Sequence, residues 1–125
     1  MIRSGVDIVE IARVAGIAAV HTPRFVDRIL SEREQAGGKP GAAYLAGRFA
    51  AKEAVAKAMG TGVWRRGISF TDIEILRDGQ GRPTVSLSGQ AKRIFTADGG
   101  RQISVSISHD GGYAVAFAVA EYMDP

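Results

Sequence analysis

The stretch RFAAKEAVAKAMGTG, residues 48–62, is an alanine-rich segment with charged side chains that ends in a glycine-rich turn. Together with the residues before it, this stretch predicts a helix from about residue 42 to 59, because apolar side chains recur at the helical repeat. The apolar arc consists of Tyr44, Leu45, Phe49, Val55 and Met59, and Arg48 and Lys52 fall inside it. The opposite side carries a ridge of small residues, Ala46, Ala50, Ala54 and Ala58, that would let another backbone approach closely but would also be tolerated on a surface. The helix therefore lacks an obvious solvent face.

The charged side chains of this helix admit two interpretations. Glu53 and Lys57 are four residues apart with the acid first, an orientation that favours an ion pair and slightly stabilises a helix. Arg48 and Lys52 are expected to lay their aliphatic stems on apolar surface and to present their charged heads at its edge. In that arrangement, several cations would border a cleft and would bind an anionic ligand there.

The bulk properties of the chain exclude several classes of protein. With 125 residues, 46% hydrophobic and 23% charged, the sequence predicts a single globular domain spanning residues 1–125. It contains no cysteine, no long apolar run and no signal-peptide layout, which predicts a cytoplasmic protein that does not enter a membrane. The pI near 9.6 favours acidic partners. Nucleic acid is not expected, because the sequence has neither an aromatic-interleaved basic stretch nor a basic recognition helix.

Amphipathic and alternating segments predict the element order β-α-α-α-β-β-α-β-β. A first strand covers residues 2–10, a short helix follows, and Pro23 begins a second helix, PRFVDRILSEREQA. After the long helix, the segments DGQG and HDGG predict hairpin turns between two pairs of strands. Adjacent hairpins, with helices concentrated in the first half, predict an α+β fold in which an antiparallel β-sheet packs against a long helix and shorter helices.

Two acidic residues are candidate magnesium ligands. Asp7 lies within the apolar first strand, where it either reaches solvent or a backbone partner, or binds a metal. Magnesium prefers hard oxygen ligands and is commonly held by one or two carboxylates together with substrate phosphates. Asp7 and Glu53 would supply such a pair.

Two further segments are candidate ligand contacts. Gly60 and Gly62 are a plain helix stop or, with Thr61, a turn that exposes backbone and a hydroxyl to a ligand's phosphates. His109 ends a strand, where it either hydrogen-bonds a neighbouring loop or, with Ser108, contacts a phosphate or hydroxyl group.

Three segments, GVDIVE (5–10), GRFAAKEAVAKAMGTG (47–62) and SISHDGGYAVAFAVAE (106–121), resemble the holo-acyl-carrier-protein synthase family of 4'-phosphopantetheinyl transferases. They occur in that family's order and span nearly the whole chain. The segments RFVDRIL and ISFTDIEIL also look like the family. The loop GGKPG and the segment VWRRG depart from the pattern of the family. The loop that borders the cleft is therefore expected to differ in shape from the same loop in family members. Trp64 and Arg65, which belong to VWRRG, would contact coenzyme A or cap a strand, and they are left out of the predicted site.

The resemblance implies transfer of the 4'-phosphopantetheine arm from coenzyme A to a serine of an apo acyl carrier protein, with release of adenosine 3',5'-bisphosphate. It also implies Mg²⁺ as the metal, bound by Asp7 and Glu53, and a role for Lys57 in neutralising phosphate charge. Glu53, acting through a water on the metal, is the first candidate to accept the serine proton, and His109 is the second.

The resemblance further implies which residues bind the substrates. Coenzyme A would be contacted by Arg48, Lys52, Lys57, Gly60, Thr61, Gly62, Ser108 and His109. The acidic carrier protein would dock on Arg13, Arg24 and Arg28, which would otherwise be solvated helix charges. Family members also form homotrimers with the active cleft between neighbouring subunits.

Two other functions remain as alternatives. A non-catalytic module would bind coenzyme A or acidic proteins through the same basic cleft and would tolerate the loss of Asp7. Nucleic-acid binding would show a strongly salt-dependent association. The sequence leaves open whether the carrier serves fatty-acid or polyketide synthesis, and whether this domain is free-standing or part of a larger synthase.

Overall fold

The structure, a computed structural model, describes residues 1–21, 23–63 and 66–124. Along these residues the elements are β1 (Ile2–Glu10), α1 (Ile11–His21), α2 (Arg24–Ile29), α3 (Glu32–Gln35), α4 (Ala42–Ala58), a 3-10 turn (Phe70–Asp72), β2 (Ile73–Arg77), β3 (Pro83–Leu87), α5 (Gly89–Ala97), β4 (Gly100–Asp110) and β5 (Tyr113–Tyr122). Helix α4 matches the predicted long helix closely. The α+β prediction is confirmed.

The structure divides the predicted second helix. It contains two short helices, α2 and α3, because Leu30 is extended and ends α2. Ser31 then begins α3 with a capping box, in which its hydroxyl accepts from the Glu34 N–H and the Glu34 carboxylate accepts from the Ser31 N–H. The prediction of one continuous helix from Pro23 was therefore wrong.

The strands form two antiparallel sheets. The larger sheet has the order β1-β5-β4, and β2 and β3 form a separate hairpin. Alternate residues of β5 from Ala114 to Ala120 are buried, and α4 contacts both β1 and β5. The larger sheet thus packs one face against α4, as its alternating side chains require.

Helix α4 approaches β1 closely at Gly5. A Cβ atom at Gly5 would lie only 2.1 Å from the carbonyl oxygen of Ala54 and 2.6 Å from the amide nitrogen of Ala58. Ala46, Ala50, Ala54 and Ala58 are all buried. The prediction that the alanine ridge admits another backbone is confirmed, and this contact sets how deeply β1 sits against the helix.

The other face of the larger sheet is open and largely apolar. Val6 is 53% exposed and Phe117, its partner across the ladder, is 48% exposed. The same face carries other exposed apolar side chains, namely Ile2, Ile8 and Tyr113. Exposed apolar surface of this extent is typical of an interaction surface.

In the part of the chain that the structure describes, every helix is too short or too polar to cross a membrane.

Candidate active site

The structure brings three of the predicted site residues together between β1 and α4. Asp7 lies on the same side of β1 as Gly5 and therefore faces the helix, where Glu53 and Lys57 lie one turn apart. The Lys57 ammonium donates to Asp7 Oδ1 at 3.1 Å and to the Val6 carbonyl oxygen at 2.9 Å. Among the described residues, the ion pair of Lys57 is thus with Asp7, and the expected pair with Glu53 within the helix is replaced by it.

The electrostatics of this cluster favour a bound cation. Burial raises the pKa of Glu53 above its ordinary value, and the negative charge of Asp7 raises it further, while Lys57 opposes the shift. Two carboxylates therefore face one region of space, with one ammonium to compensate them.

Asp7 and Glu53 fit a magnesium ion by the chemistry of their donor atoms. Both supply the hard carboxylate oxygens that Mg²⁺ prefers. Within the described residues, no cluster of three or more acidic, histidine or cysteine side chains is available to hold a metal. The two carboxylates would therefore need oxygen ligands from water or a phosphorylated substrate to complete the coordination, which is the common arrangement for Mg²⁺.

Asp7 and Glu53 open onto a cleft of about 570 Å³. Its lining combines this acidic pair with apolar side chains from α1, α2, α4 and β5, namely Val14, Ile17, Phe25, Phe49 and Tyr113. Arg13 of α1 also lines the cleft, so one of the predicted docking arginines lies at the carboxylate site. Arg24 and Arg28 are exposed on α2, four residues apart and hence on one side of that helix.

Arg48 lines a second cleft, of about 410 Å³, that is rich in cations. Arg33 from α3, Lys39 from the following loop and Arg77 from β2 line the same cleft. Arg48 is only 4% exposed, and its guanidinium lies over the Tyr44 ring at 4.3 Å. Among the described residues, its buried Nε has no hydrogen-bond partner. A buried donor without a partner among several cations fits an anionic ligand.

Lys52 does not lie at the edge of a cleft, and that expectation was wrong. Its side chain is 0% exposed, and its ammonium lies 2.6 Å from Glu34 Oε1. It also donates to the carbonyl oxygens of Ile29 and Phe70. Burial lowers the pKa of Lys52, and the adjacent carboxylate opposes that shift. Lys52 therefore connects α4 to the end of α2, to α3 and to the 3-10 turn, and has no ammonium free for a ligand.

The turn after α4 acts first of all as a helix stop. Gly60 and Gly62 have φ values of 80° and 70°, a backbone conformation that glycine adopts without strain. The amide groups of Thr61 and Gly62 both donate to the Ala56 carbonyl oxygen. The Thr61 hydroxyl is buried and donates to the same oxygen, so the prediction that it is exposed to a ligand was wrong.

Ser108 and His109 point to opposite faces of β4, because successive residues of a strand alternate. Ser108 lies on the open face of the sheet, whereas His109 Nε2 donates to the Ala43 carbonyl oxygen at 3.0 Å. His109 also packs on Gly47, where a Cβ would come within 2.9 Å of its Nε2. Ala43 lies about 15 Å along the helix axis from Glu53, at about 1.5 Å per residue. One chain therefore does not bring His109 to the carboxylate pair.

The sequence analysis missed Glu34 and the cations that accompany Arg48. Glu34 carried a signal, since the S-x-x-E pattern of Ser31–Glu34 predicts a capping box and a helix start. No local sequence pattern indicated that the cations of the second cleft would come together, because α3, the loop and β2 meet only in the folded chain. Trp64 and Arg65 lie outside the described residues.

An acidic pair that lines one cleft, a lysine bonded to one of its carboxylates and a second cleft lined by cations are together typical of proteins that bind phosphorylated ligands with a divalent cation. The chain belongs to the 4'-phosphopantetheinyl transferase superfamily, whose family model matches residues 3–118. The family resemblance predicted from the three sequence segments is confirmed.

Similar proteins include a curated relative and solved structures. The holo-[acyl-carrier-protein] synthase of Clostridium acetobutylicum is 48% identical over 120 residues, covering 94% of each chain. The crystal structure of the holo-[acyl-carrier-protein] synthase of Neisseria meningitidis matches with a TM-score of 0.88 and 34% identity, covering 97% of this chain and 99% of that one. The Helicobacter pylori holo-[acyl-carrier-protein] synthase in complex with coenzyme A matches with a TM-score of 0.85 and 36% identity, covering 97% of this chain and 100% of that one.

Proposed function

We propose that this protein transfers the 4'-phosphopantetheine group from coenzyme A to a serine of an apo acyl carrier protein, in a magnesium-dependent reaction that releases adenosine 3',5'-bisphosphate. The observation that carries the proposal is the convergence of Asp7 and Glu53 on one cleft, with Lys57 bonded to Asp7. The membership of the chain in the transferase superfamily and its likeness to holo-acyl-carrier-protein synthases supply the reaction type.

The chain's own residues would act mainly by neutralising and positioning charge. In the reaction, the serine oxygen forms a bond to the β-phosphorus of coenzyme A, and the bond from that phosphorus to the departing nucleotide phosphate breaks. Asp7 and Glu53 would hold Mg²⁺, which when bound polarises phosphoryl oxygens and neutralises their charge. Lys57, whose side chain is half exposed, would supply a further positive charge to the phosphates.

Glu53 is our first candidate for the group that accepts the serine proton. It would act through a water on the metal, because its own carboxylate is a proposed metal ligand. His109 remains the second candidate, and it would have to come from a neighbouring subunit, because in its own chain it packs on Ala43 and Gly47.

The cation-rich cleft at Arg48 is our candidate for phosphate groups of coenzyme A. Its support is the unpartnered Nε of Arg48 and the three further cations in the lining. Gly60, Gly62, Ser108 and His109 remain proposed contacts from the family resemblance. Lys52 and Thr61 are withdrawn as direct contacts, because both side chains are buried and bonded within the chain.

We further infer a homotrimer with the active cleft between neighbouring subunits. The exposed apolar face of the larger sheet supports an assembly, since Val6 and Phe117 would be buried by a second copy. The separation of His109 from Glu53 also supports it, because a neighbouring chain could supply one of the two. A cytoplasmic location remains a prediction.

Intact-mass spectrometry of an apo acyl carrier protein tests the proposed function directly. The carrier is incubated with this protein, coenzyme A and magnesium, and a parallel sample contains a chelator. We expect a gain of one phosphopantetheine group only when magnesium is available. If several apo carriers stay unmodified while coenzyme A still binds, the protein is a non-catalytic binding module and the transferase proposal is wrong.

Reversing the charge of a docking arginine should weaken the carrier selectively. Arg24→Glu places a negative charge on exposed α2, and we expect the Michaelis constant for the acidic carrier to rise about ten-fold, because like charges oppose association. The Michaelis constant for coenzyme A should change far less. Arg93→Glu, on exposed α5, is the control for net charge. Equal effects on both substrates, or an equal effect of the control, would contradict a docking role for α2.

A further inference from the structure

The ammonium of Lys57 contacts Asp7, one of the two carboxylates proposed to hold a metal. It lies 3.1 Å from Asp7 Oδ1 and 2.9 Å from the Val6 carbonyl oxygen. Its side chain is 51% exposed, whereas the side chain of Asp7 is only 18% exposed. The Lys57 side chain is therefore held by Asp7 and Val6 while half of it remains exposed to solvent.

The charges of the cluster do not balance with Lys57 alone. Asp7 and Glu53 together carry two negative charges when ionised, and Lys57 supplies one positive charge within contact distance. Arg13 lines the same cleft but has no recorded contact with either carboxylate among the described residues. A divalent cation would compensate the pair more fully than the single ammonium does.

We propose that Lys57 is an exchangeable counter-ion of Asp7: it holds the carboxylate in the free protein and leaves it when a divalent cation binds. This inference rests on the proposed function, because it takes Asp7 and Glu53 as the metal ligands. The exchange frees the ammonium of Lys57 for a second anion, the phosphate chain of coenzyme A. Metal binding would therefore prepare the lysine for the substrate as well as neutralise the acidic pair.

Physical properties of the lysine make the exchange feasible. An ion pair that is open to solvent on one side is weak, so its loss opposes metal binding only slightly. The four-carbon stem of lysine is flexible and carries its ammonium as a compact, well hydrated charge, so the group can turn towards solvent or a phosphate without moving the helix. The close contact of Gly5 with α4 keeps β1 and the helix in place while the side chain moves.

The exchange predicts opposite effects of one substitution on two ligands. Lys57→Met keeps much of the side-chain volume and removes the charge, so the acidic pair no longer has a competing cation. The free variant should bind Mn²⁺, used as a probe for Mg²⁺, more tightly than the wild-type protein does. The same variant should bind coenzyme A more weakly, because the lysine is no longer available to the phosphates.

Isothermal titration of Mn²⁺ into the protein without coenzyme A or carrier is the first measurement. We expect the dissociation constant of Lys57→Met to fall about ten-fold, the size expected when a unit positive charge a few ångströms from a divalent cation is removed. Asp7→Asn should weaken binding markedly. Lys92→Met, on exposed α5, is the matched control for the loss of one lysine charge and should stay within about two-fold of wild type.

Removing a positive charge tightens metal binding even if the lysine never moves, so a second measurement follows Lys57 itself. The lysines of the chain are Lys39, Lys52, Lys57 and Lys92. In ¹⁵N-lysine-labelled protein, the ammonium signal of Lys57 is identified by its loss in Lys57→Met. On titration with Mg²⁺, we expect this signal to move towards that of exposed Lys92 or to broaden through faster proton exchange with water, while buried Lys52 stays unchanged.

The possible outcomes separate the exchange from the function on which it rests. If Mg²⁺ binds and the Lys57 signal is unchanged, the exchange is wrong and the metal assignment stands. If Asp7→Asn binds Mn²⁺ as tightly as wild type, the metal lies elsewhere and the exchange is wrong with it. If the free protein binds neither ion, the exchange is wrong, and a titration with coenzyme A present then tests the metal assignment alone. The carrier mass assay judges the transfer reaction independently of all three.

Discussion

Replacing Glu53 with glutamine is expected to lower the rate of phosphopantetheine transfer about a thousand-fold, because the change removes both a metal ligand and the candidate proton acceptor. The variant keeps the size and hydrogen-bonding shape of the side chain, which is half buried on α4. Single-turnover transfer to an apo carrier, followed by intact mass, measures the effect without interference from product release.

The fold should survive this change, because glutamine removes the charge that burial and Asp7 disfavour. Urea unfolding should therefore show a stability equal to or slightly above that of the wild-type protein. Glu32→Gln, at an exposed position of α3, is the matched control and should retain full activity. Turnover at the wild-type rate in Glu53→Gln would remove Glu53 from both of its proposed roles.

Replacing Lys52 with methionine is expected to destabilise the protein by about 3–5 kcal/mol, because it leaves the Glu34 carboxylate buried without its counter-charge. Glu34 would keep its hydrogen bonds from the backbone N–H groups of Ser31 and Ile75. It would lose the ammonium that lies 2.6 Å away, at a place where both side chains are 0% exposed. Equilibrium unfolding in urea measures the change in the free energy of unfolding.

A double variant tests whether charge is the reason. Lys52→Met combined with Glu34→Gln removes both charges and should recover a substantial part of the lost stability, because a neutral amide is far less costly to bury than a carboxylate. Lys39→Met, at an exposed lysine, should change stability by less than about 0.5 kcal/mol. Equal stability of the single and double variants would mean that packing, and not the unpaired charge, dominates at this position.

The same variants distinguish a structural lysine from a ligand contact. At a temperature where the double variant is fully folded, its affinity for coenzyme A should be no weaker than that of the wild-type protein, because Lys52 lines neither cleft and Glu34→Gln only removes a negative charge from the lining of the cation-rich cleft. A large loss of coenzyme A affinity in a folded double variant would return Lys52 to the substrate site.

Local patterns explain why so much of the fold was predictable. The bounds of α4 followed from the helical repeat of its apolar arc. The hairpins β2–β3 and β4–β5 followed from glycine-containing turns between alternating segments. The alanine ridge predicted a close backbone approach, and Gly5 makes it. The failure at Leu30 came from overlooking the capping box that begins at Ser31, which is also a local signal. The stretch GISFTDIEILRD was predicted to be one strand, but its first half contains the 3-10 turn and only Ile73–Arg77 is extended in β2.

The site was less predictable, because the roles of its charges depend on distant segments. Arg48 was rightly assigned to a cleft, yet the cations around it come from α3, a loop and β2. Thr61 was assigned an exposed hydroxyl that in fact bonds the last turns of α4. Ser108 and His109 are neighbours in sequence, but the alternation of a strand sends them to opposite faces of the sheet.

The sequence by itself determined the helices, the strands, the α+β class and the family of this protein, because each rests on residues close together in the chain or on recognisable segments. Only the tertiary structure decided which lysine of α4 is structural and which is available to a ligand. Lys52 is buried and paired with Glu34, 18 residues earlier, whereas Lys57 is half exposed and paired with Asp7, 50 residues earlier. The physical reason is that the burial and the counter-charge of an ionised group depend on the segments that fold against it. The helical repeat of α4 does not indicate which segments those are.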